Sequence, residues 1–318
     1  MRTPRSVRRA RYKRAVRPPM RGGINATDMM LEPGPWATMG QWIAYRFGDE
    51  GIAACERGDF FYDAAVPVTA DDFYRGGQRI WVFRPVPDEP DQPITLPVVY
   101  ENERFVVVDK PHGMATIPRG SHVAQTVTVA ARRQFSNDEL VSAHRLDMET
   151  AGLVMLTKAP QWRGAYQHMF AKQTVGKKYA AVAPVVAGFT DWRRVELRLE
   201  RGRVPLRTDV VDGEPNAITD MRIERILDRM DDAGRALALW EMVPLTGKTH
   251  QLRVTLEHLG SPIVGDPLYP RLLTFDEMDE REFPLQLLAK ELSFVDPVDG
   301  EDRVFRSSLE LDATRGVS

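Results

Sequence analysis

The residues best suited to chemistry lie in one short stretch near the middle of the chain, His144–Gly152. Its last three residues indicate a tight turn, since glycine tolerates backbone angles that other residues avoid. The next segment, Leu153–Leu156, has no polar alternation and predicts a strand buried on both faces. Asp147 would therefore stand on a loop held by a rigid strand, where reactive side chains are often presented. Residue types alone favour a simpler interpretation, in which Asp147 caps the turn and pairs with Arg145.

A second polar cluster lies much later in the chain, within Leu245–Gly260. Thr246 or Thr249 is expected to cap a helix there, because either hydroxyl can accept a bond from a free backbone N–H. His250 and Arg253 are three residues apart, so a helix would place them on one side. The stretch therefore predicts a helix that presents a histidine and an arginine to the same surface.

Three separate segments resemble motifs of the RluA-type pseudouridine synthases, which isomerise uridine to pseudouridine within RNA. The central one is His144-Arg145-Leu146-Asp147 with Thr150-Ala151-Gly152-Leu153 and Lys158, where Ala151 stands at a position that usually holds Ser. The others are Asp109-Lys110-Pro111 with Gly113, and Leu245–Gly260 continued by Pro262–Tyr269. A motif with mixed polar and apolar demands over about fifteen positions is far more specific than a short pattern. The resemblance extends over residues 96–295.

This resemblance implies a role for each site residue. Asp147 is the expected catalytic nucleophile, Arg253 its ion-pair partner, and Tyr179, in a Lys-x-Tyr context, lines the uridine pocket. Substrate contacts are expected from other residues of the same motifs, namely His144, Arg145, Leu146, Thr150, Lys248, His250 and Leu252. For Arg145 two interpretations stay open: it fills the space that a flipped uridine leaves, or it contacts a phosphate or carboxylate. Lys110 and Pro111 need only end a strand.

The implied reaction detaches a uracil, rotates it and rejoins it to the ribose through carbon. A carboxylate nucleophile can divide such a reaction into easier steps through a covalent intermediate. Asp147 would attack either the anomeric carbon of the sugar or carbon 6 of the base, and the sequence does not choose between them. A nearby arginine keeps a carboxylate charged, so Asp147 and Arg253 are expected within ~4 Å of each other. Tyr179 would take the proton from carbon 5 or position the group that does.

Other kinds of site find little support in the sequence. The six histidines show no pair at metal-ligand spacing backed by carboxylates, and neither a Gly-rich phosphate loop nor a Gly-x-Ser-x-Gly elbow occurs. We therefore expect no metal and no organic cofactor. The alternative function is a catalytically idle RNA-binding protein that kept the fold. Intact Asp147, Tyr179 and Arg253 favour an isomerase, because binding alone does not require all three.

Composition limits the class of protein. A chain of 318 residues allows two domains, and its 43% hydrophobic and 28% charged residues are typical of a soluble globular protein. No apolar run approaches the ~18 residues that a membrane span needs. The single cysteine, Cys55, rules out an internal disulfide and fits a reducing compartment. We expect a cytoplasmic monomer.

The charge is distributed unevenly along the chain. Nine of its 43 Lys and Arg residues lie within residues 1–22, a segment without Asp or Glu, although the whole chain has a net charge of −2. A basic arm on an acidic body suggests a polyanion partner such as RNA, and a disordered solubilising tail is the alternative. Nothing in the sequence distinguishes ribosomal from transfer RNA as that partner.

These patterns predict three regions and an α+β fold. Residues 1–30 are expected to form a basic, disordered arm, residues 31–92 a small N-terminal α+β domain, and residues 93–318 the catalytic domain, with a Pro-rich linker at 85–93. The small domain weakly resembles an RNA-binding module often attached to these synthases, although it is not basic; a structural domain is the alternative. The catalytic domain is expected to be a mixed, mainly antiparallel sheet with flanking helices and an active-site cleft, because strands and helices do not alternate regularly.

Overall fold

A computed structural model describes residues 16–83, 94–118 and 122–315 of the chain. Contacts between residues divide it into two compact units, one formed by residues 1–91 with 120–124 and the other by residues 92–119 with 125–318. The predicted linker, residues 85–93, lies outside the described residues. Each unit has a hydrophobic core of its own.

The first unit packs one helix on a small antiparallel sheet. Its elements are strand β1 (Thr27–Met30), helix α1 (Met39–Glu56), strand β2 (Phe60–Phe61) and strand β3 (Arg79–Val82), with the strands in the order β1-β3-β2. Thr38 caps α1 by accepting a bond from the backbone of Gln41, and the helix breaks at Gly48. Trp42 and Ile43 are buried against Phe60 and contribute to the core. This part of the chain is α+β, as the sequence predicts.

The prediction of a disordered arm over residues 1–30 is wrong for the part that the structure describes. Arg17 lies over the ring of Trp81 at 5.1 Å, and Arg21 pairs with Asp59 at 2.6 Å. A guanidinium is stabilised by contact with an aromatic face, and a solvated tail would lack that contact. Shortly after Arg21 the chain forms β1, which pairs with β3. The first 15 residues lie outside the described part of the chain.

The second unit is built from long strands with a few helices. The strands are β4 (Val98–Glu101), β5 (Phe105–Lys110), β6 (Val141–Ser142), β7 (Ala151–Thr157), β8 (Gly176–Pro184), β9 (Arg193–Arg201), β10 (Thr208–Val211), β11 (Ala217–Met230), β12 (Ala236–Pro244), β13 (Leu287–Val295) and β14 (Asp302–Arg306). The helices are α2 (Val127–Gln134), α3 (Pro160–Ala171), α4 (Gln251–His258) and α5 (Phe275–Asp279).

These eleven described strands form one sheet in the order β10-β9-β11-β12-β8-β13-β7-β5-β4, with β14 on β13 and β6 on β7. The β13–β7 pair is parallel, and the other pairs along the sheet are antiparallel. The sheet is therefore mixed and mainly antiparallel, which confirms the predicted fold class. Strand β7 is buried along its whole length, as its unbroken apolar sequence predicts. None of the helices in the described ranges is long and apolar enough to cross a membrane.

The parallel pair brings three distant parts of the chain into one row. Gly152 on β7 is opposite Ala289 on β13, and Ala289 is opposite Tyr179 on β8. Gly152 has a φ of +109°, and a Cβ there would lie 2.3 Å from the carbonyl oxygen of Ala289. Only glycine permits this approach, so the turn after Asp147 is fixed to the strand beside Tyr179.

Candidate active site

The loop that carries Asp147 is held by buried side chains on both sides of that residue. The hydroxyl of Thr116 donates to the carbonyl of Leu146 at 2.8 Å and accepts from its N–H at 3.1 Å. On the other side, the ammonium of Lys110 donates to the carbonyl of Met148 at 2.7 Å. Asp147 therefore stands on a turn, as predicted, and the backbone that presents it is fixed.

Lys110 does more than end a strand, which is all that the sequence interpretation asked of it. Its side chain is fully buried, and its ammonium also donates to the carbonyls of Pro111 at 2.9 Å and Met114 at 2.7 Å. Burial lowers the pKa of Lys110 to about 7, while the charges of Glu149 and Asp147 oppose that shift. Three carbonyl acceptors use all three ammonium protons, so Lys110 ties the end of β5 to the Asp147 loop.

A cavity of about 550 Å³ opens above this loop. All ten site residues predicted from the motifs line it, from the Asp147 loop, from β8, and from the segment that leads into α4. They are His144, Arg145, Leu146, Asp147, Thr150, Tyr179, Lys248, His250, Leu252 and Arg253. The structure thus brings together the central motif, the Lys-x-Tyr strand and the motif that begins at Leu245, while the role of each residue remains a prediction.

The walls of the cavity are strongly cationic. Among the described residues that line it, Asp147 is the single carboxylate, whereas four side chains are basic: Arg145, Lys177, Lys248 and Arg253. His144 and His250 add two imidazoles. This excess of positive charge favours a polyanionic ligand. It also places one carboxylate among basic groups that can contact the phosphates of such a ligand.

The predicted ion pair between Asp147 and Arg253 is wrong. Arg253 is 2% exposed and forms a bidentate pair with Asp266, Nε to Oδ2 at 2.8 Å and Nη2 to Oδ1 at 2.6 Å. The backbone N–H groups of Leu268 and Tyr269 also donate to Oδ1 of Asp266, which fixes that carboxylate in place. Burial opposes the charge of Arg253, but the bond to Asp266 and the charges of Asp266 and Asp147 together raise its pKa. Arg253 therefore acts on Asp147 through space.

Within the part of the chain that the structure describes, His250 is the basic group at ion-pair distance from Asp147, with Nε2 3.9 Å from Oδ2. Its Nδ1 lies 3.1 Å from the hydroxyl of Tyr269, which fixes the ring. The residue has a φ of +55° and precedes α4, a strained conformation for a residue with a Cβ. Burial, followed by the charge of Arg253, lowers the pKa of His250, while Asp147 opposes the shift.

The predicted threonine cap of α4 is wrong, because the helix begins at Gln251 directly after His250. The hydroxyl of Thr246 instead accepts from the backbone of Ile218 at 2.9 Å and donates to the side chain of Gln251 at 2.8 Å. These bonds tie the segment before α4 to β11. His250 and Arg253 do face the same cavity, as their spacing predicts.

Tyr179 and His144 both have shifted pKa values that fix their protonation. Burial, reinforced by the charge of Asp147, raises the pKa of Tyr179 above its ordinary value, so its hydroxyl keeps its proton near neutral pH. His144 stacks on Phe170 at 4.3 Å and accepts a bond from the backbone of Met155 at 3.2 Å. Burial, followed by the charge of Lys177, lowers the pKa of His144 to about 3, and the ring stays neutral.

Two residues of this site escaped the sequence interpretation. The sequence interpretation expects Lys110 only to end a strand, although a lysine at the end of a largely apolar strand is itself a signal of a buried ammonium. It gives a role to Tyr179 and none to Lys177, although alternation along a strand places both on one face. Within the described ranges, no group of three or more His, Cys, Asp or Glu residues is arranged to hold a metal ion.

Comparisons with known proteins agree on one family. The family model described as RNA pseudouridylate synthase matches residues 104–258. The chain is 31% identical over 246 residues to the ribosomal large subunit pseudouridine synthase D of Xanthomonas campestris, covering 72% of each chain. It is 30% identical to the dual-specificity RNA pseudouridine synthase RluA of Vibrio cholerae, covering 64% of this chain and 78% of that one.

Solved structures show the same fold. Human RNA pseudouridylate synthase domain containing 1 superposes with a TM-score of 0.56 at 24% identity, over 71% of this chain and 90% of that chain. Human RNA pseudouridylate synthase domain containing 4 gives a TM-score of 0.51 at 24% identity, over 67% and 88% of the two chains.

Proposed function

Because the chain belongs to the RluA-type family of RNA pseudouridine synthases, we propose that it isomerises selected uridines of a structured RNA, ribosomal or transfer, with Asp147 as nucleophile. One observation carries this proposal: Asp147, the single carboxylate among the described residues that line a cationic cavity, stands on a fixed turn near a tyrosine that keeps its proton. The volume of about 550 Å³ is within the ~300–1,000 Å³ of small-ligand sites and suits one extruded nucleotide.

Base extrusion is the first step of the proposed mechanism. A target base must leave its stack, at a cost of a few kcal/mol that is lowest in loops. Arg145 is exposed and lies two residues before Asp147, at the cavity wall, where it can fill the vacated space or hold a phosphate. Asp147 then either bonds to the anomeric carbon, so that the glycosidic bond breaks and N1 of the uracil keeps the electron pair, or adds to carbon 6 of the base, after which the glycosidic bond breaks in the same sense. After rotation, carbon 5 bonds to the anomeric carbon, and the bond from Asp147 to the sugar or the base breaks, which returns the carboxylate. Carbon 5 then gives up its proton, which restores the double bond between carbons 5 and 6.

Tyr179 and His250 are proposed to orient rather than to ionise. A tyrosine whose pKa is raised keeps its hydroxyl proton near neutral pH, so it is present as a hydrogen-bond donor to a carbonyl of the rotating uracil and not as a phenolate base. His250 is held by Tyr269 and directs Nε2 toward Asp147. The proton from carbon 5 is then left for the carboxylate of Asp147, once the bond to the sugar or base has broken.

The compartment and the assembly state belong to the same proposal. We propose that the protein is a cytoplasmic monomer; its single cysteine, Cys55, fits a reducing compartment. The names of the relatives do not choose one RNA, since one is a large ribosomal subunit enzyme and another is called dual-specificity. Pseudouridine mapping in a deletion strain would identify the RNA.

Tritium release tests the reaction directly. The protein is incubated with bulk RNA that carries tritium at carbon 5 of uridine and comes from a strain lacking this enzyme. We expect release by the wild type and none by Asp147→Asn, because an amide is not a nucleophile. Asp220→Asn changes a half-buried carboxylate that pairs with the exposed Arg194 outside the cavity; it is the matched control and should behave as the wild type. Release by Asp147→Asn would overturn the mechanism; RNA binding without release by the wild type would favour the idle binding protein.

The basic arm is a separate element of the proposal. A truncation after residue 15 keeps Arg17 and Arg21, which are bound to the first unit, and removes the more distal basic residues. If the arm contacts RNA, the truncated protein binds RNA less tightly and with a shallower salt dependence. Unchanged binding would leave the arm only a solubilising role.

A further inference from the structure

Two successive lysines on β8 have opposite surroundings. Successive side chains of a strand point to opposite faces, so Lys177 shares a face with Tyr179, and Lys178 does not. Lys178 pairs with Glu291 on the neighbouring strand at 3.3 Å. Lys177 instead lines the cavity that contains Asp147. The sequence thus provides a matched pair of lysines, one with a protein partner and one facing the cavity.

The ammonium of Lys177 makes no hydrogen bond or ion pair with any residue that the structure describes. Its side chain is nevertheless half-buried, and burial lowers its pKa. A charge that loses part of its water without gaining an opposite charge is held at a cost. Its field also reaches His144, whose pKa it lowers further. These observations indicate that the ammonium of Lys177 is a site for binding an anion.

The position of Lys177 along β8 indicates which part of an RNA it meets. The strand is open at its beginning and buried from Ala180 onward, so Lys177 stands nearer the cavity mouth than Tyr179. A nucleotide that enters base first leaves its phosphates at the mouth. The charge of a phosphodiester is permanent, whereas a detached uracil is anionic only briefly, and a compact ammonium suits a point contact with phosphate.

We propose that Lys177 binds a backbone phosphodiester next to the target uridine and thereby positions the nucleotide over Asp147. This inference rests on the proposed function, because it deepens the same site. Arg145 and Lys248, which are exposed cations of the cavity wall, would contact the RNA from the Asp147 loop and from the segment that precedes α4. Lys177 is thus a substrate-positioning residue, and its loss should act on binding before it acts on chemistry.

Salt-dependent binding tests the proposal without turnover. In an Asp147→Asn background, binding of a fluorescein-labelled oligouridylate of about 20 nucleotides is measured from low to moderate salt. Lys177→Met should weaken binding about tenfold and lower the slope of log Kd against log salt by about 0.7, the value for one phosphate on a single strand. Lys178→Met should change neither quantity, and Lys177→Arg should retain the slope.

The outcomes separate this inference from the proposed function. Equal slopes for Lys177→Met and Lys178→Met would overturn the phosphate contact, as would a loss of kcat with unchanged binding, which would indicate a contact with uracil. A raised KM at a near-normal kcat supports it. If the wild type releases no tritium while the salt slopes of Lys177→Met and Lys178→Met differ as expected, the phosphate contact is supported and the proposed reaction is refuted. Melting temperatures within a degree or so of each other show that both variants are folded.

Discussion

The Arg253–Asp266 pair offers the sharpest test of how this site is held. Both residues are almost fully buried, and the two charges meet in a bidentate geometry. Asp266→Asn keeps the shape of the side chain and one oxygen for the N–H groups of Leu268 and Tyr269. It also leaves Arg253 as a buried charge without its counter-ion. The change therefore isolates the value of one negative charge in the interior.

The expected loss of stability is large for an isosteric change. Removal of one partner from a buried ion pair costs about 3–5 kcal/mol, since the remaining charge is neither hydrated nor paired. At about 2–4 °C per kcal/mol for a chain of this size, the melting temperature should fall by about 6–20 °C. Activity should fall as well, because Arg253 lines the cavity.

Thermal unfolding followed by circular dichroism measures this loss, with Asp220→Asn as the control. Asp220 forms an equally bidentate pair with Arg194, at 2.8 and 2.9 Å, but the arginine is 53% exposed. Such a surface pair is worth about 0–1 kcal/mol. An equal fall in melting temperature for Asp266→Asn and Asp220→Asn would refute the reasoning from burial.

A double variant separates charge from packing. Arg253→Met combined with Asp266→Asn removes both charges and should recover roughly half or more of the stability lost by Asp266→Asn alone, because no unpaired charge remains. Its activity should stay low, since the arginine that faces Asp147 is absent. Full activity in the double variant would show that Arg253 serves stability alone.

Three further changes test separate features. Gly152→Ala should destabilise the protein by more than about 2 kcal/mol, because its Cβ would meet Ala289 at a positive φ; Gly300→Ala, also at positive φ but in open space, should lose about 1 kcal/mol in urea unfolding. His144→Gln should make the free energy of unfolding depend less on pH below 6.5. The pKa of His144 is about 3 in the folded protein against 6.5 for a free histidine, so at intermediate pH the unfolded chain binds a proton that the folded protein does not. The free energy of unfolding of the wild type therefore falls by up to about 1.4 kcal/mol per pH unit as pH drops from 6.5 toward 3. The free energies of unfolding are measured by guanidinium titration at several pH values. An equal dependence on pH for the wild type and His144→Gln would contradict a neutral His144 ring. Tyr179→Phe should lower kcat at every pH from 6 to 9 by a constant factor, whereas a loss that grows with pH would show that the wild-type tyrosine ionises.

The sequence was most informative where a motif is contiguous. All ten predicted residues line one cavity, because each belongs to a short motif whose spacing is fixed, and Asp147 lies on its turn as expected. The partner of Arg253 was a different kind of question. Asp266 follows Arg253 by the rest of the helix and one loop. Tertiary packing alone makes the carboxylate of Asp266, rather than that of Asp147, the contact of the Arg253 guanidinium. Sequence spacing could not rank Asp266 above Asp147.

Two other differences have physical causes that the chain itself displays. Arg17 and Arg21 are ordered because each finds a partner dozens of residues later, an aromatic face or a carboxylate that composition does not reveal. Lys177 could have been found beforehand: two lysines in tandem on a strand must face opposite ways, and only one faces the acidic neighbour Glu291.

The parallel contact between β7 and β13 also determines the stage of folding at which the active site is assembled. In the described strands, β4 to β7 join the rest of the sheet only through this pair, whose registered residues are Ala151 with Leu288 and Gly152 with Ala289. The two strands are separated by more than a third of the chain, so their association closes a long loop and is among the slowest contacts to form. Hairpins on either side can form early from local contacts. The Asp147 turn meets Tyr179 only when this contact closes, so recovery of activity should report the last stage of refolding.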